Sequence, residues 1–187
     1  MKKTASLRLD FSPFPKLSTP RLLLRRIRPG DAPELFFLRS DPAVLRYINR
    51  SPDPSAGHTR VFIRKLHQLE KDKSGLNWAI TLRGEKKLIG NICLWNIKKE
   101  HYRAEIGYVL HPAYQGKGIM DEAVKAVIRA GFKRFGLHSL EAHVNPLNKA
   151  SIRLLKRNGF AREGYFRQNF FYEGKFLDSA VYSLLAR

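Results

Sequence analysis

The sequence predicts an α+β fold, one mixed β-sheet with helices laid against it. Apolar runs at 77–82, 88–97 and 104–110 follow one another across short polar links, as antiparallel strands do. A longer stretch, 116–135, places Ile119, Met120, Ala123, Val124, Val127, Ala130 and Phe135 on one face of an amphipathic helix. Strand, two helices, three antiparallel-type strands, long helix, strand, helix and two strands then follow in an order that fits one mixed sheet.

Taken in turn, residues 1–17 are basic and proline-punctuated, and are expected to form a loosely ordered leader before a single domain at 18–187. Arg-Leu-Leu-Leu-Arg-Arg-Ile at 21–27 predicts the first strand. Pro29-Gly30-Asp31 opens a helix, with Asp31 as N-cap and Leu35, Phe36 and Leu38 as its apolar face. The stretch 49–57, with Ser51-Pro52-Asp53-Pro54-Ser55, reads as a loop. A second helix spans about 59–71, carrying Val61, Phe62, Leu66 and Leu69. Beyond the long helix come a strand at 139–144 and a helix near 150–158 that Gly159 stops. Two last strands, 161–172 and 177–184, flank the turn Glu173-Gly174-Lys175. The count is seven strands and about four helices.

Composition narrows the function. One cysteine, Cys93, cannot form an internal disulfide or a cysteine-based zinc cluster, and it fits a reducing compartment. His111, His138 and His143 have no metal-ligand spacing, so no metal is expected. Cys93 lies in an apolar run and reads as packing, as do Trp78 and Trp95 on adjacent strands. Met1-Lys2-Lys3-Thr4 has the positive start of a signal peptide, but Arg8, Asp10, Ser12, Pro13 and Pro15 interrupt any apolar segment. No membrane span is expected, and the cytoplasm is the default location. The formal charge of +19 would attract polyanions, whether nucleic acid, ribosome, acidic lipid or a phosphorylated small molecule, or form a solvated basic surface; the cations are scattered, with no run of five or six.

The informative segment is Gln115-Gly116-Lys117-Gly118-Ile119-Met120, where a strand ends and a long helix begins. Unpaired N–H groups and the helix dipole make such a start an anion site. Gly116 and Gly118 let a phosphate approach the main chain, and Gln115 and Lys117 can add donors. Neither a nucleotide-hydrolysing P-loop nor a dinucleotide fingerprint is present.

Gln115, Gly118 and Met120 resemble the three fixed positions of the acetyl-CoA motif Q/R-x-x-G-x-G/A of the GNAT N-acetyltransferase superfamily, with Met120 larger than the usual last residue. Asn148-Lys149-Ala150-Ser151-Ile152-Arg153-Leu154-Leu155 through Gly159-Phe160 is similar to its next motif. Ala104-Glu105-Ile106-Gly107-Tyr108 and Thr19-Pro20-Arg21-Leu22-Leu23-Leu24-Arg25 look like the branch that acetylates ribosomal-protein N-termini. The resemblance implies a sheet splayed between its fourth and fifth strands, 105–110 and 139–144, with acetyl-CoA in the gap. Main chain at Tyr108, Val109 and Leu110 would then pair with the pantetheine. Amides there would polarise the thioester carbonyl.

Acetyl transfer needs a neutral amine, a polarised carbonyl and a proton for the thiolate. Glu105 is the candidate base, acting directly or through water; it also reads as a structural carboxylate paired with an arginine. Many superfamily members carry a thiolate-protonating tyrosine where Leu155 stands, so that donor is absent. The resembling branch instead implies that Ser151 hydrogen-bonds the sulfur; alone, Ser151 reads as a first-turn helix residue. Asn148 would bond the pantetheine or a water, cap the helix, or do both. With Cys93 read as packing, direct transfer from acetyl-CoA is expected over a ping-pong route. Tyr47 and the loop 49–57 would border the acceptor. The expected acceptor is a primary amine, most simply a protein N-terminal α-amino group, with ribosome or RNA association through the basic surface and a monomeric or homodimeric state. A small-molecule amine acetyltransferase and a non-catalytic acyl-CoA- or RNA-binding module are the alternatives.

Overall fold

Eight strands form one sheet in the computed structural model, which describes residues 6–186. In chain order they are β1 (Leu17–Ser18), β2 (Leu22–Arg26), β3 (Leu76–Leu82), β4 (Gly90–Lys98), β5 (Arg103–Leu110), β6 (Ser139–Val144), β7 (Ala161–Tyr172) and β8 (Lys175–Leu185). Across the sheet the order is β1-β2-β3-β4-β5-β6-β8-β7, antiparallel throughout except for the parallel pair β5–β6. The helices are α1 (Ala32–Ser40), α2 (Pro42–Leu45), α3 (Ala56–Lys71), α4 (Ile119–Arg129) and α5 (Lys149–Arg157).

Two elements exceed the seven strands and four helices expected. β1 is a two-residue pairing, Leu17 with Leu24 and Ser18 with Leu23, too short to leave a periodicity. α2 is a single turn, which Pro42 starts and Asp41 caps by accepting the Val44 amide at 3.0 Å.

Alternation along the strands supplies two cores, one on each face of the sheet. Leu22, Leu24, Trp78, Ile80, Ile92, Leu94, Ala104 and Ile106 face α4 and α5 and are buried with Val124, Val127 and Leu155. Ala79 and Leu88 lie on the opposite side with Leu35, Leu38, Ile63 and Leu66 of α1 and α3. Arg25 points to this second side. Its guanidinium takes both oxygens of Asp31 at 2.7 Å and the Lys86 carbonyl at 2.7 Å. Asp31 is the residue before α1, as expected, but its carboxylate serves the Arg25 pair and the Arg28 amide instead of capping that helix.

Residues 6–17 correct the expectation of a loose leader; Met1–Lys2–Lys3–Thr4 lies outside the described residues. Leu9 and Phe11 are buried, and Phe11 meets the Phe135 ring edge-on at 5.5 Å. Phe14 packs on Trp78, whose indole N–H donates to the Pro15 carbonyl at 2.7 Å, and the Arg8 amide donates to the Phe135 carbonyl. The segment is apolar at every second or third residue, and those residues pack on the core.

Trp95 is also corrected. Trp78 is fully buried, but Trp95 is 47% exposed and belongs to neither apolar cluster. It lies on the face covered by α1 and α3, beyond the end of that cover. Among the described residues, no helix is long and apolar enough to cross a membrane.

Candidate active site

The parallel pair β5–β6 is joined at Arg103–Ser139, Ala104–Leu140 and Glu105–Glu141 and then parts. β5 continues to Leu110 beside β4, while β6 continues to Val144 beside β8. A wedge-shaped gap therefore opens in mid-sheet, with Glu105 and Glu141 at its apex. His111 N donates to the Ile89 carbonyl at 2.9 Å, which fixes the direction of the β5 main chain. Main-chain groups alternate along an antiparallel strand, so Gly107 and Val109 turn toward β4, and Ile106, Tyr108 and Leu110 toward the gap. Val109, expected as a main-chain contact, is instead paired with Asn91. Tyr108 and Leu110 do face the gap, although the Leu110 carbonyl already accepts Gln115 Nε2 at 3.0 Å.

At the mouth of the gap Gly116 and Gly118 adopt φ of 73° and 72°, a left-handed conformation that suits glycine, and α4 starts at Ile119 instead of 116. It ends in a π turn, Ala130–Arg134. Among the described residues, the amides of Gly116, Lys117, Gly118, Ile119 and Met120 have no protein acceptor. Met120 itself is 9% exposed, so its bulk points into the core and leaves its amide outward. Lys117 Nζ bonds back to the Ala113 carbonyl at 2.9 Å, so it and Gln115 brace the turn.

Thr19 and Arg21 hold this turn, a role their position in the sequence did not signal. Glu122, in the first turn of α4, accepts the Thr19 hydroxyl at 2.5 Å, the Arg21 amide at 2.9 Å and Arg21 Nε at 2.6 Å. Arg21 Nη1 also donates to the Lys117 carbonyl at 2.9 Å. Burial pulls the Glu122 carboxyl up, but the Thr19 and Arg21 donors outweigh it and hold it below the usual carboxylate range.

On the other wall, Asn148 caps α5 by accepting the Ser151 amide at 3.0 Å. Ser151 Oγ bonds the Tyr108 hydroxyl at 2.7 Å, linking α5 to β5. Burial pushes the Tyr108 phenol up to about 12, against the opposing Ser151 bond.

Glu105 points to the opposite side of the sheet from Tyr108. Its Oε1 accepts Asn96 Nδ2 at 2.6 Å, and Asn96 sits at φ 47° where β4 bulges between Trp95 and Lys98. Glu141 beside it pairs with Arg103 at 3.2 Å and His143 at 2.7 Å. Glu105, Glu141 and His143 bring ligand-type atoms within 4.8 Å of one another, a cluster their spacing in sequence concealed. His111 stacks on Phe37 with ring centroids 4.6 Å apart. Cys93 donates to the Gly107 carbonyl at 3.4 Å, and burial raises its thiol to about 12, so it is a poor nucleophile.

The loop 49–57 is fastened by Asp53. Its carboxylate accepts Arg39 Nε at 2.7 Å, Arg50 at 3.1 Å and the Thr59 hydroxyl at 2.8 Å. Burial raises this carboxyl, but the three donors and the Arg39 charge lower it further, to about 2. A folded-state pKa below the unfolded value stabilises the protein above pH 4, and this is lost as pH falls toward 2. Between those values Asp53 should cost about 1–2 kcal/mol of stability, and melting curves of Asp53→Asn should lack that part of the slope.

The family model described as an acetyltransferase (GNAT) domain matches residues 21–161. The chain belongs to this family. GNAT enzymes transfer acetyl groups from acetyl-CoA. The chain is 37% identical over 172 residues to the Bacillus subtilis protein named uncharacterized N-acetyltransferase YoaA, covering 92% of this chain and 97% of YoaA. It is 27% identical over 180 residues to the Escherichia coli [ribosomal protein uS5]-alanine N-acetyltransferase, covering 92% and 91%. A GNAT-family acetyltransferase structure from Bacillus anthracis superposes with a TM-score of 0.82 at 31% identity, covering 91% of this chain and 98% of that one. The chain is thus an N-acetyltransferase with the GNAT fold.

Proposed function

We propose that this GNAT enzyme acetylates the α-amino group of a protein N-terminus directly from acetyl-CoA, in the cytoplasm. The observation that carries the reading is the gap between β5 and β6, with the unpaired amides of 116–120 at one end and Glu105 at its apex. The diphosphate fits the turn, where main-chain donors and the helix dipole favour an anion. The pantetheine fits beside Ile106 and Tyr108 as an added strand, with Asn148 and Ser151 on the opposite wall. The Tyr108 amide, which faces the gap, would polarise the thioester carbonyl.

On the far face, Glu105 takes a proton from the incoming ammonium, and the neutral amine attacks the acetyl carbon. Asn96 holds the carboxylate through one oxygen and leaves the other for the amine or a water. Ser151 hydrogen-bonds the sulfur. Similarity to the E. coli uS5-alanine enzyme supports a protein acceptor, and the net charge of +19 supports docking on ribosomal RNA. The paired carboxylates Glu105 and Glu141 favour a second reading, a small cationic amine as acceptor.

Release of free coenzyme thiol from acetyl-CoA, measured against N-terminal peptides and small amines, decides between the readings. Turnover with alanine- or serine-initiated peptides is expected. Fast turnover with small amines and none with peptides would replace the protein acceptor by the small one.

A further inference from the structure

We propose that Tyr108 is the proton source for the departing coenzyme thiolate, acting through the hydroxyl of Ser151. The inference rests on the transferase reading above and assigns a residue to a step which that reading leaves without an acid. Leu155 stands where a tyrosine could have reached the gap from α5, and it is fully buried in the core. A phenol nevertheless arrives from the opposite wall. Tyr108 lies on the strand edge that faces the gap, its side chain runs toward α5, and its hydroxyl is 2.7 Å from Ser151 Oγ.

The chemistry favours the phenol as the acid. An aliphatic hydroxyl is far too weak an acid to surrender a proton alone, whereas tyrosine is an acid with an ordinary pKa near 10. Ser151 is therefore a conduit. Burial keeps Tyr108 protonated throughout the working pH range, so the donor is always loaded. In the step, the amine nitrogen bonds to the acetyl carbon and the carbon–sulfur bond breaks, its electron pair passing to sulfur. Sulfur takes the Ser151 proton as Ser151 takes that of Tyr108. The phenolate regains a proton from solvent, which has received the one lost by the amine through Glu105. The sum is thioester plus amine giving amide plus thiol.

Geometry separates the two proton paths. Glu105 and Tyr108 point to opposite faces of the sheet, so the base meets the acceptor and the acid meets the leaving group. Among the described residues, no other hydroxyl bonds to Ser151.

The test compares acetyl-CoA with acetyl-selenocoenzyme A, the same carrier with a far more acidic leaving group that needs no proton. With acetyl-CoA, Tyr108→Phe and Ser151→Ala should each lower kcat about 100-fold with little change in KM for the donor. The double variant should be no worse than either single one. With the selenium donor, all three should approach the wild-type rate. Calorimetric titration with coenzyme A, expected to match the wild type, reports that the variants fold and bind. Equal losses on both donors, or full activity of Tyr108→Phe on acetyl-CoA, would overturn the relay while leaving the transferase reading intact. A wild type that binds coenzyme yet turns over neither donor with any amine would overturn both.

Discussion

Glu105→Gln is expected to lower kcat by about 100- to 10,000-fold while coenzyme affinity stays at the wild-type value. Glutamine keeps the shape of the side chain and an oxygen that can still accept from Asn96 Nδ2, so the bulged end of β4 retains its partner. It loses the ability to take a proton. The glycine turn at 116–120 lies at the other end of β5 and is untouched. Pre-steady-state acetyl transfer and titration with coenzyme A separate the two quantities. A matched fall in affinity would show that Glu105 shapes the cofactor gap, and an unchanged rate would remove it from the chemistry. The pH profile adds a sign. Wild-type kcat/KM should rise with pH as the acceptor amine loses its proton, and the variant should stay far below it across that range.

Asp31→Ala should have the largest effect on stability, about 3–5 kcal/mol in urea or thermal unfolding. Arg25 is 6% exposed and Asp31 7% exposed. Removing the carboxylate leaves a guanidinium charge under α1 with only the Arg26 and Lys86 carbonyls to satisfy it. The Arg28 amide loses its acceptor as well. Asp31→Asn should fall between, because an amide keeps an acceptor for one donor but restores no charge. A loss below about 1 kcal/mol for Asp31→Ala would show that the pair is solvated and behaves like a surface ion pair.

Most of the fold was legible because its elements are long and strongly patterned. The strand at 139–144 and the helices around Val124 and Leu155 have one apolar face each, and the side-chain period decides their type. β1 and α2 were missed because two or four residues cannot establish a period. The segment 6–17 was misjudged because Leu9, Phe11 and Phe14 alternate irregularly among prolines, and their burial depends on Trp78 and Phe135, far away in the chain. The turn at 116–118 was readable from two glycines before a helix, since its backbone geometry is local. Its fastening was not, because Thr19 and Arg21 meet Glu122 about a hundred residues later. The Tyr108–Ser151 contact and the Glu105–Glu141–His143 cluster are likewise products of tertiary pairing across β5, β6 and α5. Val109 shows the finer limit: the motif marks a stretch of strand, but the register with β4 decides which of its amides is free.

Among the described residues, three residue pairs and the Tyr102 carbonyl, which accepts the His138 and Ser139 amides, make the backbone seam between the two halves of the sheet; past Glu105, the Tyr108–Ser151 bond apart, the halves are held by oily side chains such as Ala142, Val144 and Leu155. Such contacts have no preferred direction and slide where a hydrogen-bond ladder would snap. The crevice can therefore widen or narrow slightly without tearing, like a clothes-peg sprung at one end, and the occupant that fills it also sets its width.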